Sequence, residues 1–171
     1  MEQTAEYVTP TQASWAELRT LRLRALAEDP QAFGQTYDVA CTFPETFWRG
    51  RLRNAAKGVS WLICARMGGR LVGMVGAFQT DEDLCHGRAT VVGTYVEPEV
   101  RRQGIAQRLL AALLERLAAA GVAVARLAVN PEQGAAVKAY LGAGFRIVEM
   151  GTEVLGDEHS HPVLVMEKPL P

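Results

Sequence analysis

The stretch Val96-Glu97-Pro98-Glu99-Val100-Arg101-Arg102-Gln103-Gly104-Ile105-Ala106 decides how the chain is read, because within it an apolar strand passes through a short turn straight into a long helix. On its C-terminal side Ile105, Leu109, Leu113 and Leu117 form a stripe with Leu110 and Leu114 beside it, which runs until Gly121 closes the helix. On its N-terminal side, residues 89–96 are rich in Val, Thr and Tyr, the composition of a strand, which ends at Pro98. The first four amides of a helix have no internal acceptor and lie at the positive end of its dipole, so the turn suits an anion such as a pyrophosphate. Gly104 and Ala106 carry little side chain, which lets phosphate oxygens approach the backbone, and Arg101 and Arg102 add charge at the mouth. An ordinary helix start with two solvated arginines has the same pattern, so the turn alone leaves both readings open.

Outward from this turn the order is mixed α/β. Residues 11–27 place Trp15, Leu18, Leu21, Arg22 and Ala25 at helical spacing, with Thr11 or Ser14 as caps and Asp29-Pro30 as a stop. A loop over 30–44 holds Phe33, Tyr37 and Phe43, aromatics that suggest a pocket wall, and a second helix covers 45–54. Two apolar runs, 61–67 and 71–79, joined by Gly68-Gly69, predict a tight β-hairpin, and 89–96 follows as a third strand of an antiparallel set. Beyond the long helix come a strand over 122–129, a helix over 131–141 ended by Gly142 or Gly144, and strands over 145–149 and 163–167. With neither repeat nor low-complexity linker, the 171 residues read as one domain spanning 1–171, within the about 100–200 residues that a single core commonly holds.

Composition narrows the function. Eighteen Lys plus Arg against nineteen Asp plus Glu leave a net charge of −1, so no global basic field exists to hold nucleic acid or an anionic membrane, and a local site must carry any binding. Fifteen of those eighteen cations are Arg, the better fork for carboxylate or phosphate. No apolar run approaches the roughly 20 residues a membrane span needs, and Met1-Glu2-Gln3-Thr4 lacks a secretion pattern, so a cytoplasmic protein is expected. Cys41, Cys64 and Cys85 are odd in number and widely spaced, which suggests reduced buried thiols and no zinc site.

The turn resembles the acyl-CoA-binding motif of the GNAT superfamily of N-acetyltransferases, Q/R-x-x-G-x-G/A, filled by Arg101, Gly104 and Ala106 and preceded by V-x-P as Val96-Glu97-Pro98. Asn130-Pro131, the pair Ala135-Ala136, Tyr140 and Gly144-Phe145 resemble the family's second signature, and Leu23-Arg24-Ala25-Leu26, Asp29-Pro30-Gln31-Ala32-Phe33-Gly34 and Gly69-Arg70-Leu71-Val72-Gly73-Met74 are similar to one subgroup. The chain departs from the pattern at Arg102, Ala106 and Gln133, where the family often has Gly, Gly and Asn, and its segment 156–162 is shorter than in that subgroup.

The resemblance implies a GNAT fold: a central mixed, mostly antiparallel sheet of about six to seven strands, splayed between the fourth and fifth and flanked by about four helices. It implies acetyl-CoA as cosubstrate, held by Val96, Arg101, Arg102, Gln103, Gly104, Ile105, Ala106, Asn130, Gln133 and Tyr140, with no metal, and a primary amine, small-molecule by preference, attacking directly in a ternary complex. A protein or peptide acceptor, or a non-catalytic acyl-CoA sensor, are the alternatives, and a homodimer is one arrangement the family allows. The strands ending at Val96 and near Asn130 would be the splayed pair, with pantetheine amides pairing in the gap as an added strand does. A backbone N–H near Val96 would stabilise the charge growing on the thioester oxygen, and Tyr140 matches the family position that protonates the departing thiolate.

An alkylammonium is free base in only about one molecule in a few thousand at pH 7, so its proton needs a route out. Residues 87–96 contain no acid; His86, Asp81, Asp83, Glu97 and water relays are the candidates, and none is preferred. His159-Ser160-His161 has the look of a metal pair but lacks a third ligand of clear spacing and reads as a solvated turn. Neither G-x-S-x-G nor a P-loop is present, and Cys85 and His86, adjacent in a strand, would point to opposite faces. Phe33, Tyr37, Phe43, Trp48 and Trp61 are more readily core than ligand box, with one or two left to line an acceptor pocket.

Overall fold

The computed structural model describes residues 4–155 and 158–171. The readings of residues 1–3, and of the part of the 156–162 segment at 156–157, lie outside the described residues. The strands are β1 (Glu6–Val8), β2 (Trp61–Met67), β3 (Arg70–Phe78), β4 (Arg88–Val96), β5 (Val124–Val129), β6 (Arg146–Val154) and β7 (Ser160–Pro169). The helices are α1 (Trp15–Glu28), α2 (Tyr37–Cys41), α3 (Glu45–Ala56), α4 (Asp81–Cys85), α5 (Ile105–Ala119) and α6 (Gly134–Gly142). One seven-stranded sheet has the order β1-β2-β3-β4-β5-β7-β6, antiparallel throughout except for the parallel pair β4–β5.

Alternation along the strands distributes the apolar side chains to two cores. From β2 and β3, Ile63, Ala65, Val72 and Val75 face α5, whose Leu109, Leu110, Leu113 and Leu117 are buried beneath it, while α6 packs Ala136, Val137 and Tyr140 against the same core. Leu62, Cys64, Leu71 and Met74 face the other way, onto Leu18, Leu21 and Leu26 of α1 and Trp48 and Leu52 of α3. Helices therefore cover both faces, and the sheet is the middle layer.

The expected elements are present with shifted ends. The 68–69 hairpin closes with Met67 opposite Arg70. The helix expected from residue 131 starts at Gly134, after a turn in which Asn130 Oδ1 accepts from the Glu132 amide at 2.9 Å and so delays the helical ladder. Strands β6 and β7 are longer than 145–149 and 163–167 because they pair with each other along nearly their whole length. Three short elements had no readable period: β1, which pairs Glu6–Val8 with Cys64–Arg66, and the single-turn helices α2 and α4. Helix α4 stands where the acidic stretch looked only polar, because Thr80 and Asp83 form a capping box that outweighs the absence of an apolar stripe. Of the thiols, Cys64 is buried, Cys41 is half-buried and Cys85 is exposed, so the expectation of buried thiols fails at Cys85, which ends α4 on its surface. No helix among the described residues is long and apolar enough to cross a membrane.

Candidate active site

Strands β4 and β5 pair at only three positions, Arg88↔Val124, Ala89↔Ala125 and Thr90↔Arg126. Beyond these, β4 follows β3 as far as Val96↔Gly73, while β5 follows β7 through Val129↔Leu164. The sheet opens like a V, with its vertex at Thr90. At the open end is a cavity of about 1360 Å³ lined from both strands and from α1, α5 and α6.

The strand β4 carries a bulge, since Gly76 opposes Val92 while Met74 opposes Tyr95, so that Gly93 and Thr94 together face the one residue Val75. Gly93 takes φ of 68°, where a side chain would be strained. Past the bulge the edges sort themselves: the Glu97 amide donates to the Val72 carbonyl of β3 at 2.9 Å, and alternation turns the Val96 amide the opposite way, toward the opening. The Val96 carbonyl accepts from Arg101 Nε at 2.8 Å.

The turn into α5 is a run of backbone donors. Arg102 has φ of 62° and Gly104, the residue before the helix, φ of 76°, and such left-handed residues curl successive N–H groups into a concave nest. The first amide to donate back into the helix is that of Arg108, to the Gly104 carbonyl at 3.1 Å, so those from Arg102 to Gln107 have no helical acceptor. Arg102, Gly104, Ile105 and Ala106 line the cavity, whereas Gln103, expected to bind cofactor, is exposed and outside it. Arg101 also lines the cavity, but its Nε is committed to Val96 and its guanidinium lies 5.8 Å from the Tyr95 ring centroid, so it braces the turn.

From the other strand, Asn130 is 3% exposed. Its Nδ2 is buried with no hydrogen-bond partner while the residue lines the cavity. Gln133 lines the cavity too, yet its Nε2 donates to Asp29 Oδ1 at 3.2 Å, tying α6 to the end of α1. Burial raises the Asp29 carboxyl above its usual range against the opposing pull of Arg101. Tyr140 of α6 donates its hydroxyl to Thr94 Oγ1 at 3.1 Å across the opening, with its ring edge-on to Phe145. Burial raises its phenol, the Thr94 bond opposing, so the hydroxyl stays protonated at neutral pH.

None of the four candidate bases lines the cavity, and three of them are engaged elsewhere. Asp83 bonds Arg88, Thr80 and Thr90; burial alone would raise its carboxyl, but these donors hold it down to about 2. Glu97 is buried and pairs with Arg70 and Arg24, and His86 Nδ1 contacts the Glu82 carbonyl at 2.8 Å. Asp81 is exposed at the start of α4. The acids that do line the cavity are Asp29, Glu132 and Glu153. Of the five aromatics considered, only Phe33 lines it; Phe43 and Trp48 stack with Phe47 in the α3 core.

Several cavity features had no motif behind them. Thr94 is an ordinary strand threonine until Tyr140 folds onto it, and Tyr95, whose hydroxyl donates to Glu28 Oε2 at 2.5 Å, joins β4 to α1. Burial, and then that bond, push the Tyr95 phenol up. Arg22 lines the cavity from α1, and the one signal for it was a cation inside an otherwise apolar helical stripe. Among the described residues, no group of three or more His, Cys, Asp or Glu is arranged to hold a metal ion.

A family model described as the acetyltransferase (GNAT) family matches residues 18–145. Among solved structures, an acetyltransferase of the GNAT family from Streptococcus pneumoniae is similar with a TM-score of 0.85 at 19% identity, over 98% of this chain and 100% of that one. A ribosomal-protein-alanine N-acetyltransferase from Brucella melitensis gives 0.82 at 19% identity, over 96% and 99% of the two chains. A phosphinothricin acetyltransferase from Sinorhizobium meliloti, in complex with acetyl-CoA, gives 0.79 at 16%, over 99% and 89%. At these identities the likeness is one of fold. A search of the curated proteins finds no match.

Proposed function

Because the chain belongs to the acetyltransferase (GNAT) family, we propose that it is an N-acetyltransferase moving an acetyl group from acetyl-CoA to a primary amine, small-molecule by preference, by direct attack while both are bound. The observation that carries this reading is the parting of β4 from β5 after Thr90, with a nest of free amides at one end and the Tyr140 hydroxyl inside.

The residues present fit a diphosphate joined to an amide-bearing arm. The amides from Arg102 to Gln107 would hold the pyrophosphate, with the Arg102 side chain adding charge, and the inward Val96 amide and the orphaned Asn130 Nδ2 would meet acceptors along the arm. Acetyl-CoA supplies an activated thioester. The Val96 N–H faces the opening as a fixed donor, which offsets negative charge on the acyl oxygen as the amine attacks without having to reorganise. Tyr140 holds a proton at its hydroxyl, oriented by Thr94, to give to the departing sulfur. Because that phenol is raised, the donor form persists to alkaline pH, where free amine is more abundant. The 31–35 segment walls one side of the acceptor end and Glu153 and Leu155 of the β6–β7 hairpin contribute to the other lining, which supports a small acceptor over an extended peptide.

The test is release of free thiol from acetyl-CoA across a panel of amines. Amine-dependent release, with an acetylated amine recovered by mass spectrometry, is expected. Tight acetyl-CoA binding with no amine-dependent release would mean a sensor module.

A further inference from the structure

Helix α1 carries two arginines two positions apart, Arg22 and Arg24, with opposite surroundings. Arg24 meets Glu28 at 2.7 Å, Glu97 at 3.3 Å and Glu99 at 2.5 Å. Arg22 meets no carboxylate among the described residues; its Nε is buried without a hydrogen-bond partner. Its guanidinium carbon lies 4.6 Å from the Phe33 ring centroid, and Nη1 lies 3.2 Å from the point a Cβ on Gly93 would occupy. The missing side chain at the bulge is thus what leaves room for the guanidinium head. The arginine, Phe33 and Gly93 all line the cavity.

Such an arrangement is costly as it stands, because a cation drawn into protein without an anion loses hydration and gains little in return. The ring face offsets part of the loss. The positive charge of Arg51 adds to the cost, and burial first, then Arg51, bring the Arg22 guanidinium down to about 10, which leaves it charged at neutral pH. The other cavity arginines are differently used: Arg101 is bound to Val96, and Arg102 stands at the amide nest of α5. Arg22 instead sits at the far, acyl end, beside Gly93, whose neighbour Thr94 receives the Tyr140 hydroxyl.

We infer that Arg22 is the receptor for a carboxylate carried by the acceptor, so that the substrate class is an amino acid, an amine and a carboxylate in one small molecule. This rests on the acetyl-transfer reading above. The flat guanidinium fork matches a carboxylate in two parallel hydrogen bonds, which orients the acceptor as well as holding it. Glu153, also in the lining, gives the same cavity a counter-charge for the ammonium end.

The experiment compares α-, β- and γ-amino acids with their matched carboxamides as acceptors, for the wild-type protein and for Arg22→Gln and Arg22→Lys. For at least one matched pair, wild type is expected to prefer the acid in kcat/KM by roughly ten- to a hundredfold, the range for a hydrogen-bonded charge. Arg22→Gln should abolish that preference with acetyl-CoA Kd unchanged, and Arg22→Lys should restore part of it. If acids and amides are acetylated equally by wild type, or if folded Arg22→Gln keeps the preference, the inference is overturned while acetyl transfer stands. The wild-type comparison decides this even if a variant fails to fold. Calorimetry of the same amino acids on CoA-loaded protein separates the converse case: Arg22-dependent binding without thiol release supports the carboxylate site and rejects transfer. A parallel arm uses succinyl-CoA; Arg22-dependent turnover there, with no acid preference among acceptors, would assign the carboxylate to the acyl donor and overturn the acceptor assignment.

Discussion

The two ends of the cleft are built from different materials. At the proposed donor end the groups on offer are main chain: amides of residues 102–107, the inward Val96 amide and unpaired edges of β4 and β5. At the proposed acceptor end they are side chains drawn together from α1, the 31–35 segment and the β6–β7 hairpin, with Arg22, Phe33 and Glu153 among them. Main-chain donors are common to every residue type but proline, so the donor end depends on conformation, and conformation there is set by a few neighbouring residues. Side chains at the acceptor end depend on which residues the fold brings into reach, and they can change without altering the sheet.

The sharpest way to break this contrast lies where the two ends meet. Tyr140→Phe removes only a hydroxyl, and kcat is expected to fall by about a hundredfold or more, as for loss of a general acid, with acetyl-CoA Kd nearly unchanged. Steady-state kinetics beside calorimetry measures both, and unchanged kcat would reject the acid role. Next in size, Gly104→Val should weaken acetyl-CoA binding by roughly tenfold or more, because a branched residue is strained by about 1–2 kcal/mol or more at a left-handed position such as the φ of 76° found there. The acid-over-amide preference among acceptors should survive, and its loss would mean that the ends are not independent.

The smallest effect concerns the vertex on which both ends hinge. Asp83 bonds Arg88 and Thr90, where the β4–β5 pairing begins and stops. Its carboxyl is held down to about 2 in the folded protein. A group depressed on folding contributes stability in full above its unfolded value of about 3.9 and loses it as pH falls toward the folded one. Asp83→Asn should therefore melt below wild type at pH 7, with the gap narrowing between about pH 4 and 2, the window set by those two values. Thermal melts across pH read this directly, and a constant gap would mean that the pairing of Asp83 with Arg88 is not what stabilises the vertex.

The donor end was legible because its causes are close together in sequence. A strand period ending at Val96, Gly104 and the stripe from Ile105 to Leu117 suffice to specify strand, turn and helix, and the amide nest follows from the helix start. For Gln103, spacing says that the residue belongs to the turn, and so adds its amide to the nest, but not which way its side chain leaves it. The candidate bases lie outside the cavity for a related reason: Asp83 and Glu97 are acids near the site in sequence, yet each found cationic partners that no local pattern announced. Cys85 reached the surface because a capping box made a helix where composition suggested only a polar link.

By itself, then, the sequence determined the mixed α/β order, the layer-forming stripes and the strand–turn–helix at 96–106, all of which arise from interactions within a few residues or from periodicity along one element. Only the tertiary structure decided where β4 and β5 part, that Tyr140 meets Thr94 46 residues away, and that Arg24 is neutralised while Arg22 is left facing the cleft. The physical reason is that an ion pair or an orphaned charge is a property of neighbours in space. Two arginines on one helix carry the same local signal, and what distinguishes them is the presence of Glu97 and Glu99 beside one and of Phe33 and Gly93 beside the other.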